Sequence, residues 1–180
     1  MFTEAQMTES LMKVFENKKL IFEYDEEEKL FSKQIKYDSS YYTMLLNIYV
    51  AKKGICILVS SDVEVKKNIK AATEFIARVN YSLNNFGSFE LDCDSGYHHY
   101  FHFISANDIE ANADNLDEYI TSHLALSSIL FDYISNGMLL VMFKAETPKE
   151  AAEKTMKKID NIGSEEDDDD SHDDIGISAE

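Results

Sequence analysis

The sequence predicts an α+β fold in which helices cover one face of an antiparallel five-stranded sheet. The predicted element order is α-βββ-α-ββ-α-α. Two observations support this prediction: apolar residues alternate along five short segments, and they recur at helical spacing along four others. Because the strands come in consecutive runs instead of alternating singly with helices, the sheet should be antiparallel rather than parallel.

The composition is typical of one globular domain. The chain has 180 residues, of which 44% are hydrophobic and 28% are charged, so it can bury a core. We identify no apolar run of the roughly 20 residues that a membrane helix needs, and the first ten residues lack the basic and apolar regions of a signal peptide. We therefore expect a cytoplasmic protein. Cys56 and Cys93 lack CxxC spacing, so free thiols are expected.

The first helix is predicted over Thr8–Lys18. Thr8 can cap it, and apolar residues recur at helical spacing at Leu11, Met12 and Phe15. An acidic connection at Asp25–Glu28 follows. The helix is therefore separated from the first strand by a polar, solvated segment.

Three strands are predicted next, in the segments LFSKQIKY, YYTMLLNIYV and ICILVS. In the middle segment, one face is apolar and consists of Tyr42, Met44, Leu46, Ile48 and Val50. The other face is diluted by Thr43 and Asn47. This alternation indicates a strand with one buried face.

A second helix is predicted from a cap at Asp62 to the break at LNNFG. Its apolar stripe consists of Val65, Ile69, Ala72, Ile76, Val79 and Leu83. The segments SFELD and GYHHYFHFIS then predict a second hairpin, joined by a short Asp-Ser-Gly turn. Two more elements complete the predicted domain.

The third helix is predicted from about Ala113 to Tyr133, with a bend or break near Asn136–Gly137. The segment MLLVMFK either continues this helix or forms a short strand. A last helix is predicted to run to about Ile159, because Thr147, Pro148 and Glu150 form the pattern of a capping box.

The histidines come closest to a candidate catalytic or metal site. His98 and His99 should point to opposite faces of a strand, and His98 and His102 should lie about 13 Å apart, so these three cannot ligate one ion. His123 is distant in the sequence. The segment Asp92–Gly96 has the residue types of a calcium loop but lacks the carboxylate at its twelfth position, so a hairpin turn is expected.

No catalytic, cofactor-binding or metal-binding residues are therefore predicted. The chain has no phosphate-binding glycine loop and no GxSxG elbow. Tyrosine supplies rigid contact area in protein interfaces, so the sequence predicts a partner-binding set on the strands: Tyr41, Thr43, Leu45, Asn47, Tyr49, Tyr97 and Tyr100. Core packing is the alternative role of these aromatic residues.

The charge is concentrated at the C-terminal end. Of the net charge of −17, nine acidic residues and no Lys or Arg fall in residues 164–180, which leaves 25 acidic and 17 basic residues, or −8, for residues 1–163. We expect the domain to end at residue 163 and the acidic tail to be disordered. No basic stripe interleaved with aromatic residues is present, so direct binding of nucleic acid is not expected.

The stretch from the second helix to the second hairpin resembles the YbjN family of bacteria. Family landmarks appear in order: the pair Asn80 and Tyr81, Gly87 before the strand Phe89–Asp92, and the turn glycine Gly96. The terminal TPKEAAE is similar to a Ser-Pro-Glu-Glu-Ala segment of the family, so the likeness extends over roughly residues 8–158. The family's usual Arg after the turn is replaced here by His and Tyr residues.

The resemblance implies a fold similar to type III secretion chaperones and a role in the regulation of sensory transduction, with no catalytic residues to carry over. We therefore expect a non-enzymatic, cytoplasmic protein-binding module, either an adaptor or a chaperone-like holder of an extended segment. The alternatives are an enzyme whose site the sequence does not reveal, and an acidic-tail competitor for basic or nucleic-acid-binding partners. A homodimer is also predicted, since a one-sided sheet leaves a face to be covered.

Overall fold

The computed structural model describes residues 2–36, 43–83 and 86–162, which form two layers, a sheet and a set of helices. The described strands are β1 (Glu23–Asp25), β2 (Leu30–Ile35), β3 (Met44–Ala51), β4 (Gly54–Ser61), β5 (Ser88–Leu91) and β6 (His98–Ser105). The described helices are α1 (Glu4–Asn17), α2 (Ile69–Leu83), α3 (Ala106–Ala111), α4 (Leu116–Met142) and α5 (Pro148–Asp160). A single 3₁₀ turn at Ala113–Asn115 joins α3 to α4. The predicted α+β class is confirmed.

The sheet is antiparallel throughout, in the order β1-β2-β3-β4-β6-β5. It has six strands, so the predicted count of five is wrong. The additional strand is β1, which pairs with β2 because the acidic run assigned to a solvated connection forms the hairpin turn. Asp25 accepts hydrogen bonds from the backbone N–H groups of Glu27 and Glu28 at 2.9 and 3.0 Å, and this side-chain turn favours the reversal.

The helices pack on one face of the sheet, as predicted. Here Phe15 of α1 meets Phe31 edge-on at 5.3 Å between ring centroids, and Phe131 of α4 stacks on Phe89 at 5.7 Å. The apolar face of β3 lies in this core, with Met44, Leu46, Ile48 and Val50 all buried. The fifth predicted member, Tyr42, lies outside the described residues.

The first helix begins four residues earlier than predicted. Its cap is Thr3, whose hydroxyl accepts from the N–H of Gln6 while the Gln6 side chain accepts from the N–H of Thr3. This reciprocal capping box satisfies the backbone N–H groups of Thr3 and Gln6 and so favours a helix that begins before Thr8. Leu11 and Phe15 are buried as predicted, but Met12 is 43% exposed and does not belong to the buried stripe.

The second helix begins at Ile69, so the predicted start at Asp62 is wrong. Residues 63–66 form neither helix nor strand, and the N–H of Val65 donates to the carbonyl of Gly96 at 2.8 Å. Asn68 then adopts a left-handed φ of 52° and donates its side-chain amide to the carbonyl of Met142. A long-range contact therefore replaces the first two predicted turns. Val65 is nevertheless buried.

The third predicted helix corresponds to α4, which is continuous to Met142, so of the predicted bend or break near Asn136–Gly137 the break is wrong. The segment MLLVMFK continues it for five residues. The short helix α3, capped by Ser105, precedes it and was not predicted. The stretch Ala113–Met142 is long and apolar enough to cross a membrane, but 56% of its most apolar window is buried inside the domain, which is typical of a core helix.

The last helix agrees closely with its prediction. The hydroxyl of Thr147 accepts from the N–H of Glu150, the Glu150 carboxylate accepts from the N–H of Thr147, and Pro148 occupies the first helical position. These interactions are local, which is why the sequence pattern located them. The predicted disordered tail, residues 164–180, lies outside the described residues.

Candidate binding face of the sheet

The second face of the sheet points away from the helices, and we call it the open face. Strand alternation and register assign its members. Its apolar side chains are Leu30, Leu45, Tyr49, Cys56, Leu58, Phe101 and Phe103. Its polar side chains on β2 to β6 are Ser32, Gln34, Asn47, Ser60, Ser88, Glu90, His99 and Ser105.

The register aligns the apolar side chains of the open face in rows across the strands. One row consists of Leu30, Tyr49, Cys56 and Phe103, each paired with the next. Tyr49 is 37% exposed and Phe103 is 43% exposed, whereas the other two are half-buried. Residues opposite one another on adjacent strands have side chains in contact range, so the row forms a continuous apolar strip.

The polar groups at the centre of the open face are partnered within the sheet. Ser32 donates its hydroxyl hydrogen to the side-chain carbonyl of Asn47 at 2.8 Å, and Asn47 is only 8% exposed. In the same row, Asn47 is followed across the sheet by two apolar residues, Leu58 of β4 and Phe101 of β6. A ligand that covered this centre would therefore desolvate mostly apolar surface, which favours binding.

The charged side chains that the strands place on the open face are acidic and lie at its two edges, whereas Lys33 of β2 lies on the helix-covered face and Lys36 follows the end of β2. Glu23 and Asp25 stand on β1, opposite Ser32 and Leu30. Glu90 stands on β5 at the other edge, with a carboxylate oxygen 3.2 Å from Nε2 of His99. Lys52 and Lys53 lie in the turn between β3 and β4, beyond the end of the strands. The face thus combines an uncharged centre with two acidic margins.

The predicted partner-binding residues are divided by the structure. Leu45, Asn47 and Tyr49 lie together on the open face. Thr43 is half-buried just before β3, and Tyr97 is 41% exposed just before β6. Tyr41 lies outside the described residues.

For Tyr100 the structure supports the alternative role, core packing, so its assignment to the partner-binding set is wrong. It is 1% exposed on the helix-covered face, opposite Val59 and Phe89, and burial raises its pKa. Tyr97 and Tyr100 are three positions apart, and side chains an odd number of residues apart point to opposite faces of a strand.

Several members of the open face were missed by sequence reasoning. They are Leu30, Cys56, Leu58, Phe101 and Phe103. The signal was present in β6, where His99, Phe101 and Phe103 alternate with the buried His98 and Tyr100. Only the register across four strands shows that these side chains join those of β3 in one surface.

The histidines are separated as predicted, with one exception. His98 is buried on the helix-covered face and His99 lies on the open face. His102 of β6, however, lies against His123 of α4, with Nε2 and Nδ1 3.0 Å apart. Burial lowers the pKa of both imidazoles. One ring donates and the other accepts, so the pair holds a shared hydrogen bond in the neutral state.

Metal binding by these histidines was considered above. Among residues 2–36, 43–83 and 86–162, no group of three or more His, Cys, Asp or Glu side chains is placed to hold a metal ion. The turn at Asp92, considered above as a calcium loop, is held by its own hydrogen bonds: the Asp92 carboxylate accepts from the N–H of Asp94 and the hydroxyl of Ser95.

A groove of about 570 Å³ lies on the other side of the molecule, between α2 and α5. Ala77, Tyr81 and Met156 contribute to its lining. Its charged residues include Arg78 and Glu74, which pair along α2 at 2.8 Å. Lys149 and Glu153 also line the groove and pair along α5 at 3.8 Å.

Acidification should destabilise the protein through His98. Its ring packs beside those of Phe89 and Phe131, at 5.6 and 5.8 Å between centroids, and burial lowers its pKa from 6.5 to about 4. The unfolded chain therefore takes up this proton first, and stability is lost as the pH falls from about 6.5 towards 4. Between pH 7.5 and 5.5, this group alone should remove about 1.4 kcal/mol.

Urea unfolding at the two pH values measures this loss, and His98→Phe is the test variant. His102 and His123 shift in the same direction, so the variant should reduce the loss without abolishing it. A loss that is identical in the wild type and in His98→Phe would contradict the assignment to His98.

Comparison of this chain with models of known protein families, with curated proteins and with solved structures found no match.

Proposed function

We propose that this chain is a non-enzymatic protein-binding module, a chaperone-like or regulatory adaptor of the YbjN type, and that the open face is its binding surface. The observation that carries the proposal is the apolar strip through Tyr49 and Phe103, which the sheet exposes on the side opposite the helices. Exposed apolar patches of this kind mark sites of protein interaction.

The buried core behind the open face supports its assignment as a binding surface. The strands of the open face are backed by a buried core that includes Ile48, Ile57 and Tyr100 on the reverse side of β3, β4 and β6. Because close-packed cores deform little, the strip keeps its shape in the free protein. A preformed surface binds with a smaller entropic cost than one that must order on binding.

The experiment compares partner recovery by the wild type with recovery by a double variant, Tyr49→Ser with Phe103→Ser. The tagged protein is incubated with an extract of its source cells at moderate salt, and bound proteins are quantified. We expect the wild type to recover one protein at near-stoichiometric level and the double variant to lose most of it, because truncating central anchors of an interface typically costs about tenfold or more in affinity.

Phe143→Ser is the matched control, because Phe143 is 71% exposed but follows α4, away from the open face. It should recover the partner as the wild type does. Equal recovery by the double variant and the wild type would exclude the open face as the binding surface. Repeated recovery of no protein near stoichiometry would count against the binding function itself.

A further inference from the structure

The distribution of charge on the open face restricts what can cover it. Glu23 and Asp25 line one edge and Glu90 lines the other, while the apolar strip lies between them. The sheet has six strands, so β1 and β5 are separated by five strand spacings, or about 24 Å. An occupant that matches this face is apolar along its middle and positively charged along both of its sides.

Two candidate occupants that belong to this protein, a second copy and the C-terminal residues, do not match the charges of the open face. A second copy docked face to face would bring its own Glu23, Asp25 and Glu90 to the same interface, and like charges disfavour that approach. The C-terminal residues 164–180 hold nine acidic residues and no Lys or Arg, so they repel the same margins. The charges therefore favour a basic segment of another protein.

The backbone N–H and C=O groups of the occupant need hydrogen-bond partners, and this requirement determines its conformation. A sheet face presents side chains and no free backbone groups, since the N–H and C=O groups of the inner strands are engaged in the ladder. An extended segment lying on an apolar strip would leave its own backbone groups without partners, which is costly. A helix satisfies its backbone internally, and helix on sheet is a common packing of layers.

The dimensions of the face agree with a helix. The strands β3, β4 and β6 each have eight residues, which corresponds to a length of about 26 Å. A helix of about 17 residues spans that length. Since a helix is about 10–12 Å wide, about 6 Å is left on either side, which the long side chains of Lys or Arg can bridge while their stems cover apolar surface.

We propose that the open face binds a basic amphipathic helix of a partner protein, about 17 residues long, with Lys or Arg on both flanks and its apolar stripe over the central apolar side chains of β3, β4 and β6, namely Tyr49, Cys56, Leu58, Phe101 and Phe103. The inference rests on the proposed function and names its partner class. The helix lies along the strands, with one basic flank near Glu23 and Asp25 and the other near Glu90.

The probe is a fluorescein-labelled peptide of about 18 residues, with Leu at helical i, i+3, i+4 and i+7 spacing and Lys on both flanks. A matched peptide carries Glu in place of every Lys. Fluorescence anisotropy with the full chain at physiological salt should show saturable binding of the Lys peptide and none of the Glu peptide. Equal binding of both peptides, or of neither, would overturn the proposal.

Variants of the full chain locate the binding. Tyr49→Ser with Phe103→Ser should weaken binding of the Lys peptide by about tenfold or more. Glu23→Gln with Glu90→Gln should weaken it by about threefold or more, as expected for exposed ion pairs. Glu9→Gln with Glu153→Gln removes the same charge from exposed positions on helices and should leave the affinity unchanged. Equal weakening by the two charge variants would show attraction to the net charge only and would overturn the proposal.

The two proposals fail in different ways. If Tyr49→Ser with Phe103→Ser abolishes partner recovery while the Lys peptide does not bind, the protein-binding function stands and the basic helix is wrong. Sedimentation of the wild type is the remaining measurement: a stable dimer that the same double variant dissociates would show that a second copy occupies the open face, and it would overturn the basic helix. Unfolding curves confirm that the variants are folded.

Discussion

Replacing Phe131 by Ala should reduce the free energy of unfolding by about 3–5 kcal/mol, the usual cost of removing a buried phenylalanine. Phe131 is 0% exposed at the centre of α4. Its ring is nearly parallel to that of His98, at an interplanar angle of 7°, and stacks on Phe89 from the neighbouring strand. The substitution therefore leaves a cavity at the contact between α4 and the sheet.

The loss can be measured by urea unfolding at neutral pH, with Phe143→Ala as control. Phe143 is 71% exposed, so its truncation should change the stability by less than about 0.5 kcal/mol. Because the cavity would admit water beside His98, the Phe131→Ala protein should also lose less stability on acidification than the wild type. A change below about 1 kcal/mol for Phe131→Ala at neutral pH would mean that this contact is not part of the core.

The elements that the sequence predicted best are those fixed by neighbouring residues. The capping box at Thr147 and Glu150 and the alternation from Met44 to Val50 each depend on residues a few positions apart. Both are confirmed. Local patterns of this kind determine the type of an element, because hydrogen-bonding and burial periods are short.

The elements that were missed depend on distant contacts. The start of α2 is displaced because Val65 bonds to Gly96 and Asn68 bonds to Met142. The strand β1 was hidden by an acidic run that is typical of a solvated connection, although Tyr24 packs on Phe31 at 4.4 Å. Tertiary structure overrides local preference at such positions.

The candidate site was predicted in part for the same reason. Leu45, Asn47 and Tyr49 were found from the alternation of one strand, whereas Phe101 and Phe103 join them only through the pairing of β3 with β4 and of β4 with β6. The contact of His102 with His123 joins a strand to a helix 21 residues away in the chain. No periodicity within either element reveals that contact.

The sequence predicts a bend or break near Asn136–Gly137, whereas the structure gives Gly137 a packing role. It is buried in α4 where α2 and α5 approach. A Cβ atom at this position would lie 2.4 Å from Oγ1 of Thr155 and 2.8 Å from Cζ of Phe75. Both neighbours are buried, so neither can move away freely. The missing side chain therefore lets the three helices pack closely.

Replacing Gly137 by a larger residue should therefore lower the free energy of unfolding, although helix propensity alone would raise it. In a free helix, Gly→Ala stabilises by about 1 kcal/mol. Here we expect Gly137→Ala to lose about 1–3 kcal/mol and Gly137→Leu to lose about 3 kcal/mol or more, because overpacking a close-packed junction forces side chains and backbone to shift. Ser122→Ala, at an exposed position of the same helix, should be neutral or slightly stabilising in the same urea titrations.

A double-variant cycle then assigns the strain to the helix junction. Thr155→Ala removes the hydroxyl that the new Cβ would meet first, so Gly137→Ala should cost less in the Thr155→Ala background than in the wild type, by about 0.5 kcal/mol or more. If the effects of the two substitutions on the free energy of unfolding are strictly additive, the strain at Gly137 does not come from its contact with α5. If Gly137→Ala gains stability, the junction has room for a methyl group. A loss that is relieved by Thr155→Ala places the strain at the contact between α4 and α5.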